Sequence, residues 1–184
     1  MQYLRLFIAL EVPRAVQKSL EKSFEKLPLH ESEFRRIPSE NLHITIKFLG
    51  STSVDDISEI INILNDVGDK STSPEITIKQ PMLLPAARPK AISLAIQPSD
   101  YLSALYTELE LQLAQAGMAH PEHRRFNPHI TVARMKSKLS EHDAEHIKNW
   151  NFTSSFAATT LTLFESVLKP EGPAYTPLTQ FSLL

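Results

Sequence analysis

The chain has no cysteine among its 184 residues. That excludes disulfides, thiol nucleophiles and thiolate metal sites, and it fits a reducing compartment. Glycine is scarce, with 4 residues, and no glycine-rich loop of the kind that cradles a nucleotide's phosphates is present. Charge of either sign is not in excess: the net is -2. No global field therefore draws the protein to nucleic acid, and an anionic ligand must be held by a local basic patch. No apolar run approaches the ~20 residues of a membrane span. The opening residues, Met1-Gln2-Tyr3-Leu4-Arg5-Leu6-Phe7-Ile8, have too short an apolar run and too little basic lead for a secretory signal. A soluble cytoplasmic protein is the expectation.

What remains is a globular composition, 42% hydrophobic and 22% charged, long enough for one domain with a sizeable core. Residues 3–10 read as an aromatic and aliphatic strand. Pro13 opens a helix at its first turn, with Val16, Leu20, Phe24 and Leu27 at helical spacing, and Pro28 ends it. Residues 34–37 make a short strand, and residues 42–49 a longer one that Gly50 closes. Ser53 caps a helix to about Val67. Strands follow at 75–84 and 91–96, then a helix capped by Ser99 that carries Leu102, Leu105, Leu109 and Leu113. A loop at 118–128, holding His120 and His123, leads to a strand at 129–133. Ser140 opens a polar helix to about Trp150, and strands at 151–157, 160–168 and 175–184 close the chain, with a turn at 171–173. Helices scattered among strands without parallel βαβ rhythm predict an α+β fold. The order helix, motif strand, helix occurs twice, which predicts a single domain, 1–184, of two similar lobes flanking a cleft.

The motif strands carry the chemistry. His43-Ile44-Thr45-Ile46 and His129-Ile130-Thr131-Val132 repeat one pattern: His, apolar, Thr, apolar. On a strand, side chains alternate faces, so His and Thr share one face and the aliphatic residues bury the other. Chance pairs of this pattern are expected on the order of 0.01 times in such a chain. Two such strands facing each other make a cleft with two imidazoles and two hydroxyls. Two imidazoles can split the jobs of acid and base near neutral pH. The motifs are nearly identical and do not themselves assign the roles.

Other features compete. His142-Asp143-Ala144-Glu145-His146 fits the zinc pattern His-x-x-Glu-His. The helix carrying it is polar nearly all round, and a solvated helix is the expectation, with no metal and no cofactor. Arg124, Arg125, Arg35, Arg36, Lys47, Arg88 and Lys90 read first as solvated cations. A module that binds RNA ends or nucleotides without turnover is the alternative from another class, although a binder has no use for two imidazoles.

The flanks of both motifs resemble the two-histidine phosphoesterases, and within them the bacterial and archaeal RNA 2′,3′-cyclic phosphodiesterases, also called 2′-5′ RNA ligases. The resemblance runs through Arg5-Leu6-Phe7-Ile8-Ala9-Leu10, Asn41-Leu42-His43-Ile44-Thr45-Ile46-Lys47-Phe48-Leu49-Gly50, Arg125-Phe126-Asn127-Pro128-His129-Ile130-Thr131-Val132-Ala133-Arg134, Phe164-Glu165-Ser166 and Tyr175-Thr176-Pro177-Leu178. It implies two antiparallel sheets lining a central cleft, with helices outside. It implies that His43 protonates the leaving 3′ oxygen of a terminal 2′,3′-cyclic phosphate, that His129 activates water, and that a 2′-phosphomonoester results, with 2′-5′ ligation as the reverse reaction. Thr45 and Thr131 then donate to the phosphate oxygens. Arg134, five residues past His129, grips phosphate or ribose with its guanidinium fork. Phe48, in the matching place past His43, either stacks on a base or belongs to the core. The partners implied are RNA ends or nucleotides carrying the cyclic phosphate, met by a monomer. Where family members often carry Trp before the first motif, this chain has Arg35-Arg36; where they often carry Arg and an aromatic near residue 90, it has Lys90 and Ser93.

Overall fold

The computed structural model describes every residue except Met1, Pro121, His123 and Glu171. His123, and with Glu171 part of the expected turn at 171–173, therefore lie outside the described residues. The elements run β1 (Tyr3–Glu11), α1 (Arg14–Glu25), β2 (Phe34–Arg36), β3 (His43–Ser53), α2 (Ile57–Lys70), β4 (Glu75–Leu84), β5 (Ala91–Ile96), α3 (Asp100–Gln115), β6 (His129–Met135), α4 (Glu141–Lys148), β7 (Ser154–Ala157), β8 (Thr160–Lys169) and β9 (Gly172–Ser182). The α+β class is as expected. The three serine caps form: Ser53, Ser99 and Ser140 each accept a backbone N–H from the turn they open.

Every strand pair is antiparallel. The order β7-β4-β5-β6-β3-β1-β8-β9 is continuous, with β2 beside β6. The two expected sheets are thus halves of one, joined through a single residue pair, Ile44↔Ile130. Both isoleucines follow a motif histidine, and both are fully buried. Strands from the two halves of the chain intermix: β4 pairs with β5 and β7, β2 with β6, and β8 with β1, carrying β9 along.

The apolar faces predicted from periodicity form the core. Leu102, Leu105, Leu109 and Leu113 of α3 and Ile60 and Leu64 of α2 are buried behind the sheet, where α2 packs on α3 and β9. Each such aliphatic side chain contributes roughly 1.5–3 kcal/mol of burial. No helix of the described residues is long and apolar enough to cross a membrane.

Gly50 does not end its strand. It lies inside β3 at a register shift, with φ of 75°, and β3 runs on to Ser53. A left-handed glycine at a bulge bends a strand without breaking it.

Candidate active site

The two motif strands are bulged at the same place. On β3, Thr45 pairs with Ala9 and Lys47 with Ile8, so Ile46 is the extra residue. On β6, Thr131 pairs with Ser93 and Ala133 with Ile92, so Val132 is the extra residue. Strict alternation would send a residue five places past each histidine to the opposite face. The bulge restores it to the histidine's face. Phe48 and Arg134 consequently line the same cleft as His43 and His129.

That cleft, about 640 Å³, holds all six expected site residues: His43, Thr45, Phe48, His129, Thr131 and Arg134. His43 Nδ1 lies 2.7 Å from the Asn41 carbonyl, and His129 Nδ1 lies 2.8 Å from the Asn127 carbonyl. A carbonyl only accepts, so each Nδ1 carries a proton and donates it. Each Nε2 is left as the working nitrogen. The repeat is therefore Asn-x-His-x-Thr, a longer signal than His-x-Thr and readable from the sequence.

The two histidines stand in different surroundings. His43 is walled by Phe7 and Tyr175, with ring centroids at 5.0 and 5.3 Å, and by Phe164 at 6.2 Å. Burial pushes its pKa down from 6.5 to about 4, against the raising effect of the Asn41 hydrogen bond, with the nearby charges of His129 and Arg134 adding to the fall. Beside His129, the Thr131 hydroxyl meets the buried Ser93 hydroxyl at 3.2 Å. Thr45 faces Ala9 at the matching register and gains no such partner there.

Phe48 is 66% exposed at the cleft, 6.1 Å from the Phe7 ring. Of the two readings the sequence allowed, exposure removes the core one and leaves an aromatic face open to a ligand.

Four basic residues line the cleft, Arg5, Arg35, Lys90 and Arg134, and among the described residues no carboxylate does. This is the local basic patch that a chain of net charge -2 needs for an anionic ligand. Arg35 and Lys90 were expected to be merely solvated. Both reach the cleft because β2 lies beside β6, placing Arg35 across from Arg134, and β5 places Ala91 on the other side of Arg134. Gly172, with φ of 128°, makes room for Arg35: a Cβ there would stand 2.8 Å from the guanidinium carbon. Arg5 and Tyr175 were not singled out from the sequence, because only the pairing of β1 with both β3 and β8, and of β8 with β9, brings them here.

The other cations go elsewhere. Lys47 is not solvated but buried, 2.6 Å from Glu110 and donating to the His120 carbonyl, which ties β3 to α3. Arg36 pairs with Glu31 and Glu25, and Arg124 with Glu122. Arg125 is exposed, and Arg88 lines a neighbouring groove.

The expected solvated helix α4 also differs from its reading. Asp143 on it is fully buried. It accepts from His30 Nδ1 at 2.8 Å, the His30 backbone N–H at 2.8 Å and His142 Nδ1 at 2.9 Å. Burial works to raise its pKa, but these donors outweigh it and hold the carboxyl below its ordinary value. His30 comes from 113 residues away, a contact that no local pattern announces. His146 lies beside His142, with ring centroids 4.4 Å apart and the rings tilted by 59°. The group of His30, His142 and Asp143 fastens α4 to the loop after α1, far in sequence from both motifs.

The chain is similar to known proteins over nearly its whole length. The model of the 2′-5′ RNA ligase superfamily matches residues 12–169. An RNA 2′,3′-cyclic phosphodiesterase of Thermotoga maritima is 30% identical over 174 residues, covering 94% of this chain and 91% of that protein. Proteins of the same name from Methanocaldococcus jannaschii and Escherichia coli are each 28% identical, over 177 residues (94% and 96% covered) and 180 residues (97% and 96% covered). The crystal structure of Escherichia coli LigT complexed with 3′-AMP matches with a TM-score of 0.82 at 25% identity, covering 99% of both chains. The same protein complexed with NADP+ matches with a TM-score of 0.81, again at 25% identity and 99% of both chains. With its family model spanning both histidine strands, this chain belongs to the 2′-5′ RNA ligase superfamily.

Proposed function

We propose that this protein is an RNA 2′,3′-cyclic phosphodiesterase that hydrolyses a terminal cyclic phosphate to a 2′-phosphomonoester by two-histidine acid and base catalysis. One observation carries the reading: two imidazoles, each with Nδ1 held by a backbone carbonyl, share one cationic cleft. Relatives over nearly the whole chain bear the same name.

The reaction is an in-line displacement at phosphorus. Water oxygen bonds to phosphorus while His129 Nε2 takes its proton. The bond from phosphorus to O3′ breaks, and His43 gives O3′ its proton. Thr45 and Thr131 donate hydroxyl hydrogen bonds to the non-bridging oxygens, where charge gathers in the transition state. Arg134 adds a fixed positive charge on the same face. Phe48 offers its ring to the terminal base.

His43 raises a specific requirement. With its pKa near 4 in the free protein, it is neutral at neutral pH and cannot yet donate. The phosphodiester anion supplies what is missing, because a negative charge beside the imidazole favours the imidazolium. Substrate binding thus arms the acid. Among the described residues no carboxylate lines the cleft, and the chain has no cysteine, so the donor set suits an anion rather than a divalent cation, and the proposed mechanism uses no metal. In this reading the enzyme works in the cytoplasm, as a monomer acting on RNA ends.

The test is turnover of nucleoside 2′,3′-cyclic phosphates and of a short RNA ending in one, in EDTA, with the product identified. Metal-independent formation of the 2′-monophosphate, lost in His43→Ala and His129→Ala, is expected. Binding without turnover in the wild type would favour the non-catalytic module, and activity restored only by zinc would move attention to α4.

A further inference from the structure

Three depressions meet along the sheet. The catalytic cleft shares Lys90 and Met135 with a second groove of about 550 Å³. On its other side it shares Asn41, His43 and Tyr175 with a third of about 270 Å³. Their charges are opposite. Arg88, Lys90, Lys136 and Lys138 line the second groove, and among the described residues no carboxylate does. Glu11 and Glu40 line the third, and among the described residues no Lys or Arg does. The cleft and the second groove together draw seven of the chain's 19 Lys and Arg residues and, among the described residues, no Asp or Glu.

The second groove's four cations are exposed, and none of them is ion-paired with a described carboxylate. Its walls also include the half-buried Leu83, Pro89, Met135 and Leu139, an apolar surface on which a base can lie. The ridge between groove and cleft is fixed: the Lys90 N–H donates to the Leu84 carbonyl at 2.7 Å, and the Met135 N–H donates to the Lys90 carbonyl at 2.9 Å.

We infer that the second groove binds the single-stranded RNA on the 5′ side of the terminal phosphate. The inference rests on the proposed reaction, which puts the 3′ end in the cleft. Charge then chooses the exit. A polyanion leaving past His43 meets Glu11 and Glu40, whereas one leaving past Lys90 meets Arg88, Lys136 and Lys138. Lys90, at the junction, takes the first backbone phosphate, and the three beyond it take those that follow. The enzyme is built for RNA chains, and a mononucleotide fills only half of its site.

The test compares kcat/KM on cytidine 2′,3′-cyclic phosphate and on a five-nucleotide single-stranded RNA with the same end. The wild type is set against the triple variant Arg88→Ala, Lys136→Ala, Lys138→Ala, whose side chains are exposed and stand outside the catalytic cleft. The wild type is expected to prefer the RNA by about tenfold or more at low salt. The triple variant loses that preference through KM while its mononucleotide rate holds. The slope of log kcat/KM against log salt on the RNA becomes shallower by about 2, from three lost single-strand phosphate contacts. Lys136→Glu alone gives a partial loss in the same direction. Equal preference in the wild type, or a preference that survives in the triple variant, overturns the inference. If the wild type turns over neither substrate, the proposed reaction has failed. Anisotropy of a labelled RNA bearing a 3′-phosphate then decides the groove separately: weaker binding by the triple variant supports it, and equal binding overturns it.

Discussion

On β3, the Asn41 carbonyl holds His43 and Ile46 bulges; on β6, the Asn127 carbonyl holds His129 and Val132 bulges. The backbone device is repeated, and the residues standing on it differ. Five places past the histidine, one half has the exposed ring of Phe48 and the other the guanidinium of Arg134. Across from the threonine, one half has Ala9 and the other Ser93. Aromatic rings wall His43 and lower its pKa to about 4, while His129 has Ser93 and Thr131 close by on its side of the cleft. A duplicated frame places two equal imidazoles, and in the proposed reaction their unequal neighbours divide the labour. One side becomes an apolar wall that suits a base and a neutral imidazole. The other becomes a polar wall that suits phosphate.

The comparison breaks most severely at the histidines. His43→Ala and His129→Ala are each expected to lower kcat by about 10²- to 10⁴-fold. The double variant should be little slower than the worse single one, since the two act as a unit. Steady-state kinetics on a nucleoside cyclic phosphate checks both points.

Making the halves alike at the fifth position comes next. Arg134→Phe gives β6 the residue that β3 carries. Loss of a charge-assisted hydrogen bond, about 1.5–3 kcal/mol, predicts a fall of roughly 10- to 150-fold in kcat/KM. A fall of less than twofold would mean that Arg134 does not touch the phosphate.

The pKa difference has a consequence for stability. Unfolded, His43 takes up a proton near pH 6.5; folded, it does so only near 4. Between those values the unfolded chain binds more protons, so this contribution is present above pH 6.5 and is lost as pH falls toward 4, by about 3 kcal/mol. His43→Gln removes the linkage. Its urea midpoint should fall less than that of the wild type between pH 7 and pH 4.5, and parallel falls would contradict the buried neutral imidazole.

The smallest change makes the threonines alike. Ser93→Ala leaves Thr131 facing an alanine, as Thr45 does. A lost neutral hydrogen bond of about 0.5–1.5 kcal/mol predicts a two- to tenfold drop in kcat with KM nearly unchanged.

The grouping of the histidines and threonines was legible in the sequence because it is local. His-x-Thr on a strand fixes a face, and the helices announced themselves by leucine spacing and serine caps. Less legible was whatever depends on pairing at a distance. Arg35 looked like a surface charge until β2 lay beside β6. Lys47 belonged with the solvated cations until α3 brought Glu110 to it. Asp143 sat on a polar helix until His30 covered it. Arg134 was placed by resemblance, while its reason, the bulge at Val132, lies in the register between strands. Period alone points the wrong way at that position.

The central claim is that the two histidines hold opposite jobs, with His43 protonating the leaving oxygen. A cyclic substrate with sulfur in place of the 3′ oxygen tests it most directly, because a thiolate leaves without a proton. The account predicts that His43→Ala, slow on the oxygen substrate, approaches the wild-type rate on the sulfur one, while His129→Ala stays slow on both. Rescue of His129→Ala instead would reverse the roles, and rescue of neither would contradict proton donation from either imidazole.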